Sequence, residues 1–71
     1  MAALDAPDNP LTARETEVLR LIASGAGPAQ VAAELFLSHG TVRNYLASAV
    51  SKLNARNRMD AVRIATEAGW L

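Results

Sequence analysis

Seventy-one residues with no cysteine, one histidine and a formal charge of zero describe one small domain that packing alone must hold together. A chain of this length buries only about 60% of the surface its unfolded form exposes, and neither disulfides nor a cysteine-based or all-histidine metal site can add to the core. A large enzymatic cleft is excluded on the same grounds, and no apolar run approaches the roughly 20 residues that cross a bilayer.

Residues 1–10, MAALDAPDNP, are small, acidic and punctuated by proline, with no period, and read as a disordered tail or linker. They lack the basic start and apolar stretch of a signal peptide, so a cytoplasmic protein is expected. The folded domain is expected over residues 11–71. Its first helix begins at Thr12, which forms a capping box with Glu15, while Leu11 staples onto the turn inside. Val18, Leu19, Ile22 and Ala23 form its buried stripe. Glu15, Glu17 and Arg20 are expected to face water, and Gly25 ends the helix in the left-handed conformation.

Pro28, favoured at a first helical position, opens a second helix to Leu35 that buries Val31, Ala32 and Leu35. Phe36 and Leu37 make an apolar elbow. Ser38 then caps a third helix reaching about Leu53, with Asn54 ending it. In that helix Val42, Leu46, Ala49 and Leu53 recur at helical spacing as one apolar face. Arg43, Asn44, Ala47, Ser48 and Ser51 fall away from it. Asn57 caps the last helix, Asp60 suits the positive end of its dipole, and Gly69 closes it. Met59, Ala61, Val62, Ile64, Ala65 and Ala68 are more apolar positions than the single stripe of about 100° that one packed face needs. The surplus points to a second contact, with a partner subunit the natural candidate. Trp70 and Leu71 form a C-terminal plug. Neither β-alternation nor an internal repeat appears, so the fold class is all-α: four helices in a bundle-like domain containing a helix-turn-helix.

The zero charge conceals a segregation. Residues 36–58 contain Arg43, Lys52, Arg56 and Arg58 and no Asp or Glu, whereas Arg14, Arg20 and Arg63 are outweighed by seven carboxylates elsewhere. The third helix therefore has one face to bury and another bearing a cation and an amide near its N-terminus, an arrangement that suits a helix docked in a nucleic-acid groove.

At this point the sequence resembles a known family. L-T-x-R-E-x-E-V-L from Leu11, Gly25, V-A-x-x-L-x-L-S-x-x-T-V-R from Val31, K-L at Lys52 and R-x-x-A at Arg58 closely resemble the LuxR/NarL/FixJ-type DNA-binding domain over most of the chain. TVRNYL, ARNR and the closing GWL are further similar to actinobacterial response regulators related to those of membrane-lipid desaturation. The resemblance implies that the third helix reads double-stranded DNA in the major groove and that the last helix dimerises weakly through Met59, Arg63 and Thr66. It implies base-edge positions at Gly40, Arg43, Asn44 and Ala47. Of these, Arg43 can clamp guanine O6 and N7, Asn44 can pair with adenine, Ala47 can at most touch a thymine methyl, and Gly40 offers no side chain. Thr41, Tyr45 and Lys52 match phosphate-contacting positions, with Ser38 and His39 near the same helix start. Arg58 is implied to pack beneath the last helix. The resemblance also implies a receiver domain upstream, which these residues do not include; Asp5 and Asp8 are no substitute for its phosphorylatable aspartate.

The chain departs from the family pattern at Gly27-Pro28, where Pro28 removes a possible phosphate-binding N–H, at Gln30 and at Tyr45. No cofactor or metal site is expected, and with one histidine and no cysteine no nucleophile–base pair can be assembled. The competing reading is a protein-interaction module that docks a partner through its last helix and the Trp70-Leu71 end.

Overall fold

A computed structural model describes residues 9–71, so the tail reading lies outside the described residues apart from Asn9 and Pro10. Four helices follow in order: α1 (Ala13–Ala23), α2 (Pro28–Leu35), α3 (His39–Lys52) and α4 (Arg58–Glu67). The described residues contain no strand. Each helix starts as its sequence directs. Thr12 accepts from the Glu15 N–H while Glu15 accepts from the Thr12 N–H, completing the capping box. Gly27 precedes Pro28 at the head of α2. Ser38 accepts from the Thr41 N–H, and Asn57 from the Asp60 N–H. Leu11 is buried, and the Asn9 side chain accepts from its N–H at 2.9 Å, which ties the chain to the core just ahead of the first helix.

All four helices end alike. Gly25, Phe36, Asn54 and Gly69 have left-handed backbone, with φ of 106°, 57°, 54° and 80°. The next residue's N–H bonds back to a carbonyl five residues earlier: Ala26 to Leu21, Leu37 to Ala32, Ala55 to Val50 and Trp70 to Ala65. These are Schellman caps, in which the residue after the left-handed one makes an apolar contact with the last turn. Ala26, Leu37, Ala55 and Trp70 all pack against the core. Each cap therefore both ends a helix and directs the chain inward. Three of the left-handed residues are as expected; Phe36 is the addition. It carries a Cβ where two of the others are glycine, and its ring is 95% exposed.

The core gathers Val18, Leu19 and Ile22 of α1, Val31 and Ala32 of α2, Val42, Leu46 and Ala49 of α3, and Ala61 and Ala65 of α4, with Leu11 beside them. α1 and α3 each pack against every other helix, whereas α2 and α4 do not touch. The alanines on α3 and α4 allow close approach, and large branched residues fill the centre from α1. Ala23, expected in the α1 stripe, is exposed: it is the last residue of α1, where the helix ends. Glu15, expected in water, is only 4% exposed, for a reason that concerns the site. No helix among the described residues is long and apolar enough to cross a membrane.

Candidate nucleic-acid interface

α2, the Phe36–Ser38 turn and α3 form a helix-turn-helix. The buried line of Val42, Leu46 and Ala49 turns the opposite side of α3 outward, where Gly40, Arg43, Asn44 and Ala47 are all exposed. Neither the Arg43 nor the Asn44 side chain bonds to any other described residue, so one arginine fork and one carboxamide face outward at the leading turns. A Cβ built on Gly40 would meet nothing within 4 Å. No packing within the described residues therefore requires a glycine there. Ser51, also exposed, continues the same line at helical spacing beyond Asn44 and Ala47; that spacing marks it as a further position of this face.

The flank towards α1 is polar. The Ser38 and Thr41 hydroxyls share a hydrogen bond at 2.8 Å while Ser38 caps the helix, leaving one hydroxyl hydrogen of the pair for an outside acceptor. Tyr45 is half-buried against the core. Lys52 donates to Glu15 Oε1 at 2.8 Å, and the Ser48 hydroxyl donates to Oε2 of the same carboxylate. Ser48, expected to fall away from the packed side, is instead turned towards α1 by this bond. Burial pushes the Glu15 carboxyl up, but the Lys52 ammonium, the Ser48 hydroxyl and the Thr12 N–H overcome it and hold the group at about 2, against an ordinary 4.5. Glu15 is buried because it is fully partnered, as a buried charge requires.

The fold also narrows the charge segregation. Lys52 meets Glu15, and Arg56 lies 3.6 Å from Asp60, so two cations of the basic block answer carboxylates from outside it. Asp60 is held below its ordinary value by the Arg56 N–H and then by the Arg63 guanidinium. Arg58, expected to pack beneath the last helix, is exposed and forms no ion pair among the described residues: it is the first residue of α4, at the end rather than on the packed side. His39 is exposed at the first position of α3. On α4, Met59, Arg63 and Thr66 are all exposed, and Arg63 bridges Asp60 at 2.8 Å and Glu67 at 3.1 Å.

A small all-α domain whose helix-turn-helix offers an arginine and an asparagine on an otherwise smooth outer face is a DNA-binding domain of the kind used in transcription regulation. Comparison with known proteins sharpens that class. The family "Bacterial regulatory proteins, luxR family" matches residues 9–65. Among individual proteins, the chain is 56% identical over 70 residues to the response regulator RamR of Streptomyces coelicolor, covering 99% of this chain and 35% of that protein. It is 47% identical over 62 residues to the transcriptional regulatory protein DesR of Bacillus subtilis, covering 87% and 31%. Its identity to the spore germination protein GerE of B. subtilis is 42% over 52 residues, covering 73% of this chain and 70% of that shorter protein. The chain belongs to the luxR family of bacterial regulatory proteins. It spans about a third of the length of RamR and DesR.

Proposed function

We propose that this chain is the sequence-specific DNA-binding effector domain of a cytoplasmic bacterial transcriptional regulator, of the response-regulator kind, governed by a receiver domain outside these residues. α3 enters the major groove. Arg43 reads a guanine through O6 and N7, Asn44 reads an adjacent adenine, and Gly40 and Ala47 let the helix approach the base edges. Ser38, Thr41 and Tyr45 contact phosphates along the flank, as does Lys52 with the donors that Glu15 leaves free. Two copies pair weakly through Met59, Arg63 and Thr66 of α4, placing two α3 helices on two half-sites. The observation that carries this reading is the outward pair Arg43 and Asn44, exposed and unpartnered among the described residues, on a helix whose opposite side is buried. Selection of bound sequences from random duplexes supplies the half-site, and titration of Arg43→Ala against the selected duplex tests the assignment. The variant is expected to lose about 1–3 kcal/mol of binding and to relax one base position; unchanged affinity and selectivity would sink the reading.

A further inference from the structure

Glu15 stands apart from the reading face, yet it is the most buried carboxylate among the described residues. It sits in the first turn of α1, fixed there by the Thr12 N–H at 2.8 Å, and both of its oxygens reach across to α3. Its two α3 partners, Ser48 and Lys52, are four residues apart and so lie one above the other on a single flank. That flank separates the buried line of Val42, Leu46 and Ala49 from the exposed line of Gly40, Asn44 and Ala47. We infer that Glu15 is a positioning residue for DNA reading: by holding Ser48 and Lys52 it fixes the rotation of α3 about its own axis, and with it the direction in which Arg43 and Asn44 point. This rests on α3 being the DNA-reading helix.

The physical case turns on direction. The apolar side of α3 consists of aliphatic groups, and hydrophobic attraction has no preferred direction. Small rotations of the helix against α1 and α4 are weakly opposed by such a surface. Hydrogen bonds are directional, and two of them to one rigid carboxylate, placed a turn apart, oppose rotation. Stability alone does not account for the group. An apolar side chain of similar size commonly replaces a buried ion pair with no loss, so the feature that an apolar residue cannot reproduce is orientation. The clamp also orders Lys52, which is one-third exposed beside Glu15, before any phosphate arrives. That lowers the ordering cost of its contact.

The test compares Glu15→Leu with the unaltered chain on two probes: the duplex that the unaltered chain selects from random sequence, and an unrelated duplex of the same length. Circular dichroism establishes that both proteins are fully helical under the binding conditions. Affinity for the selected duplex is expected to fall about tenfold and affinity for the unrelated one, which loses only the ordering of Lys52, by much less, so the specificity ratio drops. Arg43→Ala is expected to cost less in the Glu15→Leu background than in the unaltered chain, a coupling between residues that share no hydrogen bond. A folded Glu15→Leu chain with an unchanged ratio and an undiminished Arg43→Ala penalty would leave Glu15 a stabiliser of the fold and overturn the inference. Should that variant fail to fold, Ser48→Ala removes one arm of the clamp; a smaller drop in the ratio supports the inference and an unchanged ratio overturns it. If the unaltered chain selects no duplex, the DNA reading fails and takes this inference with it. If it selects one and the variants keep the ratio, only the inference fails.

Discussion

At Glu15 a single side chain does three things: it completes the α1 capping box, binds α1 to α3, and makes the fold sensitive to acid. Its carboxyl titrates at about 2 in the folded chain, against an ordinary 4.5, so the folded state binds that proton less readily than the unfolded one. The resulting stabilisation is complete above about pH 4.5 and is lost as pH falls from there through about 2. A shift of this size corresponds to at most about 3.5 kcal/mol, since one pKa unit is about 1.4 kcal/mol, and solvent screening reduces it. Asp60 is also depressed and adds acid sensitivity of the same sign, so the measurement needs a reference. Urea unfolding of the unaltered chain and of Glu15→Gln, at pH 6 and pH 3, supplies it. The gap between the two proteins is expected to be wide at pH 6 and markedly narrower at pH 3, because Asp60 titrates in both and cancels. A gap independent of pH would mean that the carboxylate charge contributes nothing.

At the level of elements, the turn between α2 and α3 carries the one helix ending whose residue opposes its own backbone. A non-glycine residue in the left-handed region costs roughly 1–2 kcal/mol, and the exposed Phe36 ring recovers little of that by burial. Phe36→Gly relieves the strain while adding freedom to the unfolded chain. The net expectation is a gain of about 0.5–1 kcal/mol, read as a rise of several degrees in Tm for a domain this size; a fall would show that the ring stabilises the turn. The same element marks how much of the fold was legible. Helix starts were readable because each cap lies within three residues of its partner: Thr12 with Glu15, Ser38 with Thr41, Asn57 with Asp60. Gly25, Asn54 and Gly69 were readable as endings because those residue types favour positive φ. Phenylalanine has no such preference, so only the apolar Leu37 after it, matching Trp70 after Gly69, signalled a cap. Of the candidate interface, the outward face of α3 was readable from its period, and Ser51 lay on that line too. The Glu15–Ser48–Lys52 cluster was not, because it joins residues 33 and 37 positions apart, and local periodicity says nothing about where a distant helix will lie.

In the molecule as a whole, α1 and α3 occupy the middle, α2 lies to one side, and α4 presents an outer face to which no other described helix packs. That face carries Met59, 61% exposed, beside Arg63 and Thr66. Arg63 is already bridged to Asp60 and Glu67 on its own helix, so two copies brought together there would present charges that are largely compensated within each copy. Such a surface would neither repel strongly nor attract strongly, and with one large apolar side chain per copy the proposed two-fold contact would be small. Pairing is therefore expected to appear on DNA, where two adjacent half-sites raise the effective concentration of one copy for the other, rather than in free solution. Met59→Asp places a carboxylate on each side of the two-fold axis, where like charges oppose each other. The variant is expected to lose about tenfold in affinity for a duplex carrying two half-sites through the loss of this linkage, while its affinity for a single half-site is unchanged. Equal affinities of variant and unaltered chain on the two-site duplex would place the pairing surface elsewhere. An equal loss on the one-site duplex would mean that Met59 acts on the fold or on DNA directly, not on a partner.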